Sequence, residues 1–166
     1  MIYALYAAVV LVLIGCDQLL KAWTVSNLAL GESTAFLPGL LQLTRVHNYG
    51  AAWSSFSGKT VMLIAVTAVL LVAVAYLLIR RIVRHPLGIA AALLILGGGV
   101  GTIIDRIAHG YVVDMFDLLL FDYPVFNLAD CFVVVGVILG AVYDLWFYEK
   151  YDARKKNDAS DADGDK

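Results

Sequence analysis

Four long apolar stretches constrain this chain more than any other feature. A membrane-spanning helix needs about 20 predominantly apolar residues. The stretches at about 2–23, 60–79, 87–105 and 129–147 come close to that length. The first is interrupted only near its end, by Asp17, Gln18 and Lys21, and the second is uninterrupted. The composition agrees, with 61% hydrophobic residues, 16% charged residues and a mean hydropathy of +0.82. A soluble domain has about 45–50% apolar and about 25% charged residues. The sequence therefore predicts an all-α membrane protein with four transmembrane helices. Residues 1–149 read as one four-span domain, and 150–166 as a disordered, charged cytoplasmic tail with no apolar run.

Basic residues orient the spans. Arg80, Arg81 and Arg84 lie between spans two and three, and Lys150, Arg154, Lys155, Lys156 and Lys166 follow span four. Basic loops face the cytoplasm, so both termini are expected there, with 24–59 and 105–128 outside. In the first outer segment, Leu41 and Leu43 alternate with Gln42 and Thr44, a pattern of short strands on the membrane surface. Residues 50–57 are small and aromatic and suit a short interfacial helix.

Several classes of function drop out. A net charge of −2 gives no reason to expect nucleic acid as a partner. Cys16 and Cys131 are far apart and lack zinc-ligand spacing; between a disulfide and two buried free thiols, they read as the thiols.

Seven acids precede Asp144: Asp17, Glu32, Asp105, Asp114, Asp117, Asp122 and Asp130. All fall in the outer half of the expected topology. A charge at membrane depth is expensive and marks function by default. Glu32, Asp117 and Asp122 read as ordinary loop acids, whereas Asp17, Asp105 and Asp130 adjoin long apolar runs. Asp105 and Arg106, adjacent near a helix end, can form a local ion pair or position the chain.

Two carboxyl groups in proximity suffice to hydrolyse a peptide bond. One, ionised, takes a proton from water; the other, protonated, donates to the substrate carbonyl. Asp114 and Asp130 suit these roles if the chain reverses between them. On one continuous helix, about 16 residues would hold them about 24 Å apart. Gly110 and Pro124 argue against continuity and for a helix–loop–helix reversal.

The motifs then become specific. Asp17-Gln18-Leu19-Leu20-Lys21 is similar to the D-Q-x-x-K element of the lipoprotein signal peptidase (signal peptidase II) family. Asn48-Tyr49-Gly50-Ala51-Ala52-Trp53-Ser54 resembles its N-x-G-A-A-[FW]-S element, and Gly97-Gly98 to Gly101 with Ile104-Asp105-Arg106 its G-G-x-x-G-N-x-I-D-R stretch. Val112-Val113-Asp114 and Phe126-Asn127-Leu128-Ala129-Asp130 resemble V-V-D and F-N-x-A-D. The resemblance implies an aspartic endopeptidase of the bacterial inner membrane, with Asp114 and Asp130 as its catalytic dyad. It implies substrate-binding roles for Asn48, Gly50, Arg106 and Asn127, and supporting roles for Asp17, Lys21 and Asp105. The 24–59 segment would match the family's small extracytoplasmic β-cradle and flanking helix.

The implied substrate is a diacylglyceryl-modified prolipoprotein, cut just before its lipidated cysteine near the outer face. Membrane lipid is a further partner, and neither metal nor cofactor is implied. One position departs: Thr102 stands where the family has Asn, exchanging an amide for a shorter hydroxyl.

Two other readings fit less well. Leu13-Ile14-Gly15-Cys16 resembles a lipobox, but no Lys or Arg precedes it, as a signal peptide requires. A proton-coupled transporter would spread polar groups through the bilayer and break its helices near the midplane. Here the acids gather on one side, and only Gly97-Gly98-Gly99 suggests a break.

Overall fold

The computed structural model describes residues 1–51 and 55–153. Its helices are α1 (Ile2–Asn27), α2 (Thr60–Ile79), α3 (Pro86–His109) and α4 (Leu128–Tyr143), the last continued by a π-helical segment, Asp144–Ala153. Four helical spans are long and apolar enough to cross a membrane, the fourth running from Leu128 to Glu149. The expected tail lies mostly outside the described residues, and its first residues, to Ala153, continue the helix. The helix expected over 50–57 also falls partly outside them, with a turn at 55–58 following.

Three strands, β1 (Ser33–Leu37), β2 (Leu41–Asn48) and β3 (Val112–Leu118), form an antiparallel sheet in the order β1-β2-β3. Pro38 and Gly39, the latter at φ 76°, turn β1 into β2. The sheet sits at the end of the bundle where α1 and α3 finish and α2 and α4 begin. β3 is a finding that corrects the expected helix–loop–helix reversal: Asp114 lies on a strand. Gly110, at φ 81°, stops α3, and the β-branched pair Val112-Val113 starts the strand.

Helix ends differ from expectation for local reasons. α1 runs on to Asn27 because Thr24, Ser26 and Asn27 return their side chains to carbonyls one turn back. Arg45 from β2 then caps the end, its Nη1 donating to the carbonyls of Val25 and Leu28 at 3.2 and 3.0 Å. The two cysteines are free, but Cys16 is exposed on α1 and Cys131 half-buried, so neither is the buried thiol expected. Cys16 lies on the side of α1 turned away from its helical neighbours.

α3 is the central helix and packs against α1, α2 and α4. Lipid tails are as apolar as leucine, so helices in a bilayer associate by close packing, for which small residues are needed. Gly97, Gly98 and Gly99 supply it on three sides, since successive helical residues turn by about 100°. A β-carbon at Gly97 would meet Leu13 of α1, at Gly98 the Ala129 carbonyl of α4, and at Gly99 Leu71 of α2. The triplet is thus a three-way contact inside an unbroken helix, which removes the feature that favoured a transporter.

Gly98→Ala should therefore lower the thermal unfolding midpoint in detergent, by the equivalent of about 1–3 kcal/mol of overpacking. Gly15→Ala, where a β-carbon meets nothing within 4 Å, should leave the midpoint unchanged. Equal midpoints for the two variants would show that the triplet does not set the helix spacing.

Candidate active site

The sheet end of the bundle is organised by a buried cluster. Lys21 of α1 lies 2.7 Å from Asp17, one turn before it, and 2.8 Å from Asp105 of α3. All three are almost wholly buried. One ammonium does not neutralise two carboxylates, and neutral donors make up the difference. Gln18 donates to Asp105 at 2.8 Å, the Ala129 amide to Asp17 at 3.0 Å, and the Val113 amide to Asp105 at 3.4 Å. The Ala129 amide belongs to the first turn of α4, whose positive dipole end favours an anion there. α1 and α3 are thereby tied to the start of α4 and to β3. Among the described residues Asp105 pairs with Lys21 and not with its neighbour Arg106, so of the two expected local roles the ion pair is not formed. Arg106 turns the other way and donates to the Gly50 carbonyl at 2.8 Å.

β3 and α4, positioned in this way, carry the two remaining acids. Asn127 caps α4: its side-chain oxygen accepts from the Asp130 amide at 3.0 Å, and Asp130 Oδ2 accepts from the Asn127 amide at 3.1 Å. This is a reciprocal capping box. With its oxygen so engaged, Asn127 must turn its NH₂ group away from the helix, where it donates to Asp114 Oδ1 at 2.6 Å. Asn48 repeats the device from β2. Its oxygen accepts from the Gly50 amide at 2.9 Å and its NH₂ donates to Asp114 Oδ2 at 2.9 Å. Asp114 and Asp130 are thus both bonded to Asn127, and both line one cavity of about 390 Å³.

Burial pushes the Asp114 carboxyl up to about 7, and the charge of Asp130 adds to the rise. The amides of Asn127 and Asn48 favour the ionised form and offset part of it. A proton is thus available at neutral pH where an isolated carboxyl would have lost it. The cavity beside the acids is walled by Leu70 and Leu71 of α2, Ile95 of α3 and Val133 and Val134 of α4, so it is apolar and lies among three of the membrane-length helices. Arg106 and Thr102 also reach it.

Every residue singled out in the sequence falls at this end of the molecule. Asn48, Arg106, Asp114, Asn127 and Asp130 line the cavity, Gly50 anchors two of them, and Asp17, Lys21 and Asp105 form the cluster beneath. Gln18 had no assigned role, although it lies inside the first motif; its amide bridges Asp17 and Asp105. The N-x-x-D spacing of Asn127 and Asp130 was itself a capping signal that could have located the start of α4.

Two carboxyl groups bonded to one asparagine, one to its side-chain amide and one to its backbone amide, lining an apolar cavity in a four-span bundle, are what a membrane-bound hydrolase would need. The chain belongs to the signal peptidase (SPase) II family, whose sequence model matches residues 9–147. It is therefore a peptidase and a multi-pass membrane protein. The lipoprotein signal peptidase of Enterococcus faecalis is 40% identical over 138 residues, 83% of this chain and 86% of that protein. The lipoprotein signal peptidase of Lactiplantibacillus plantarum is 42% identical over 136 residues, 81% of this chain and 89% of its own. Two solved structures described as bacterial membrane enzymes, obtained by the in meso method, share the fold at 30% identity. Their TM-scores are 0.81 and 0.79, over 86% and 87% of this chain and 88% and 94% of theirs.

Lys21→Met should be strongly destabilising, because it leaves Asp17 and Asp105 buried against each other without their cation. Removing one partner of a buried pair costs about 3–5 kcal/mol. The yield of folded protein and its unfolding midpoint measure the effect, and an unchanged midpoint would show that the cluster does not hold this end together.

Proposed function

We propose that this chain removes signal peptides from diacylglyceryl-modified prolipoproteins by aspartic catalysis, cutting just before the lipidated cysteine. The observation that carries the proposal is the joint attachment of Asp114 and Asp130 to Asn127 at the head of an apolar cavity. The family supports the substrate class: relatives over most of this chain's length are lipoprotein signal peptidases.

In this scheme the dyad holds one proton. The ionised carboxylate takes a proton from a water molecule as its oxygen attacks the scissile carbonyl carbon, and the protonated acid donates to the carbonyl oxygen. The resulting diol collapses: the C–N bond breaks, the proton first taken from water passes to the leaving amine, and one diol hydroxyl returns a proton to the carboxylate that had donated. Asn127 and Asn48 hold Asp114 in register, while Arg106, fixed by the Gly50 carbonyl, brings a cation to the cavity wall. An apolar signal segment suits the leucine and valine walls. The basic 80–84 loop supports placing both termini in the cytoplasm and the sheet end outside, where a modified cysteine would meet the dyad at the membrane surface.

Asp114→Asn and Asp130→Asn should each lower turnover of a lipidated lipobox peptide by about a thousandfold or more, with folded protein retained in the membrane. The double variant should be scarcely worse than either single, because the pair acts as one unit. Substantial turnover by either single variant would remove that residue from the mechanism.

The pH profile follows from Asp114. Its carboxyl is raised to about 7, so below that pH the pair keeps its proton, and above it both acids ionise and no acid remains to donate. The kcat/KM for the peptide should fall about tenfold per pH unit above about 7. A profile flat to pH 9 would count against a proton held at Asp114.

A further inference from the structure

Three acids near the sheet read from sequence as ordinary loop residues, and two of them are committed to the fold. Glu32 accepts from the Ala29 amide at 2.6 Å, and Asp117 binds Gln42 and Thr44 at 2.7 and 2.8 Å. Asp122 is different. It is exposed on the connection between β3 and α4, with no hydrogen-bond or ionic partner among the described residues. It lines a second cavity, of about 260 Å³, together with Val46 and His47.

This second cavity meets the first at the dyad. Asn48, Asp114, Pro124 and Val125 line both, so Asp114 stands at their junction. The two spaces differ in chemistry. The first is walled by aliphatic side chains of α2, α3 and α4, whereas the second is bounded by strand and loop residues bearing an imidazole and a carboxylate. A peptide cut at Asp114 leaves the scissile bond in two directions. Its apolar signal segment fits the first space, and the polar chain beyond the cysteine has the second open to it.

The charge of the second cavity is set by few groups. His47 stacks on Tyr111 with ring centroids 3.8 Å apart. Burial, and then the charges of Arg45 and His109, hold its imidazole below the usual range, so it is neutral at pH 7. Arg45 lies 3.4 Å behind His47 and spends its other nitrogen on the end of α1. Apart from Asp114, Asp122 is the acidic side chain lining the cavity.

We propose that this second cavity binds the first residues of the mature lipoprotein, beyond the modified cysteine, and that Asp122 makes it favour a basic side chain there over an acidic one. The assignment rests on the activity proposed above. Asp122 is solvent-exposed, and exposed charge pairs contribute modestly, so the preference is about threefold. It weakens at high salt, where exposed charges are screened.

The test uses the full chain purified in detergent and three diacylglyceryl peptides identical except for Lys, Ser or Asp at the second residue after the cysteine. Wild type should show kcat/KM in the order Lys, Ser, Asp, with the Lys-to-Asp ratio shrinking in molar salt. Asp122→Asn should bring that ratio near one, and Asp122→Lys should invert it. Ratios within one variant are independent of how much protein has folded. The same ratio in wild type and Asp122→Lys would overturn the assignment while leaving the proposed activity intact. A wild type that cleaves none of the three would overturn the proposed activity and this assignment with it.

Discussion

The Lys21 ammonium, buried between Asp17 and Asp105, is the interaction on which the rest of this structure depends. Burying an ion pair seldom adds net stability, since desolvation offsets the attraction, and in a bilayer the cost of an unpaired charge is greater still. What such a cluster provides is uniqueness. Its three charges, the Gln18 amide and two backbone amides are satisfied together only when α1, α3, α4 and β3 meet in one register. A shift of any one of them strands a charge in an apolar medium. The amides that complete the cluster belong to Ala129, beside Asp130, and Val113, beside Asp114. The register imposed on the cluster is therefore imposed on Asp114 and Asp130.

Close approach makes this possible, and glycine makes close approach possible. A β-carbon at Gly101 would lie 2.7 Å from Asp17 Oδ2, so α1 and α3 can bring their charges together only with hydrogen there. Gly98 plays the same part for α3 and α4, meeting the backbone of Ala129 directly. Packing and electrostatics are one construction: the small residues bring α1 and α4 close to α3, and the cluster fixes where along their lengths they meet. Asn127 then carries that precision to the chemistry. As the cap of α4 it has no freedom in the direction of its amide, so the helix start itself aims a donor at Asp114.

The parts of this design that repeat with a period were legible in the sequence. The spans followed from runs of apolar residues, and the strand character of the first outer segment from Leu41 and Leu43 alternating with Gln42 and Thr44. β3 was not legible by the same means. Its core residues Val112, Val113, Asp114 and Met115 are buried on both faces, so they show no alternation, and an aspartate at the centre of a strand runs against propensity. The site residues were recognisable from their motifs, but their partners were not. Adjacency suggested Asp105 with Arg106, whereas neighbours on a helix diverge by about 100° and point to different surroundings. Asp105 finds Lys21 and Arg106 finds Gly50 because of tertiary placement, which no spacing encodes.

The departure at Thr102 has a physical consequence for the donors that the cavity presents. Its hydroxyl donates to the Gly99 carbonyl at 3.0 Å, within its own helix, so its one proton is committed away from the cavity it lines. An asparagine could have presented two amide protons to the same space. In this chain Thr102 offers only acceptor lone pairs there, and free donors facing the cavity must come from elsewhere. Asn48 and Asn127 spend amide protons on Asp114, and Arg106 spends one guanidinium nitrogen on Gly50. The guanidinium has five donors, and only one contact occupies it among the described residues. Among these lining side chains Arg106 therefore keeps the most free donors, on a long and always charged side chain in the wall of an apolar space. A charged donor makes the stronger hydrogen bond, so one guanidinium can supply what the missing amide does not.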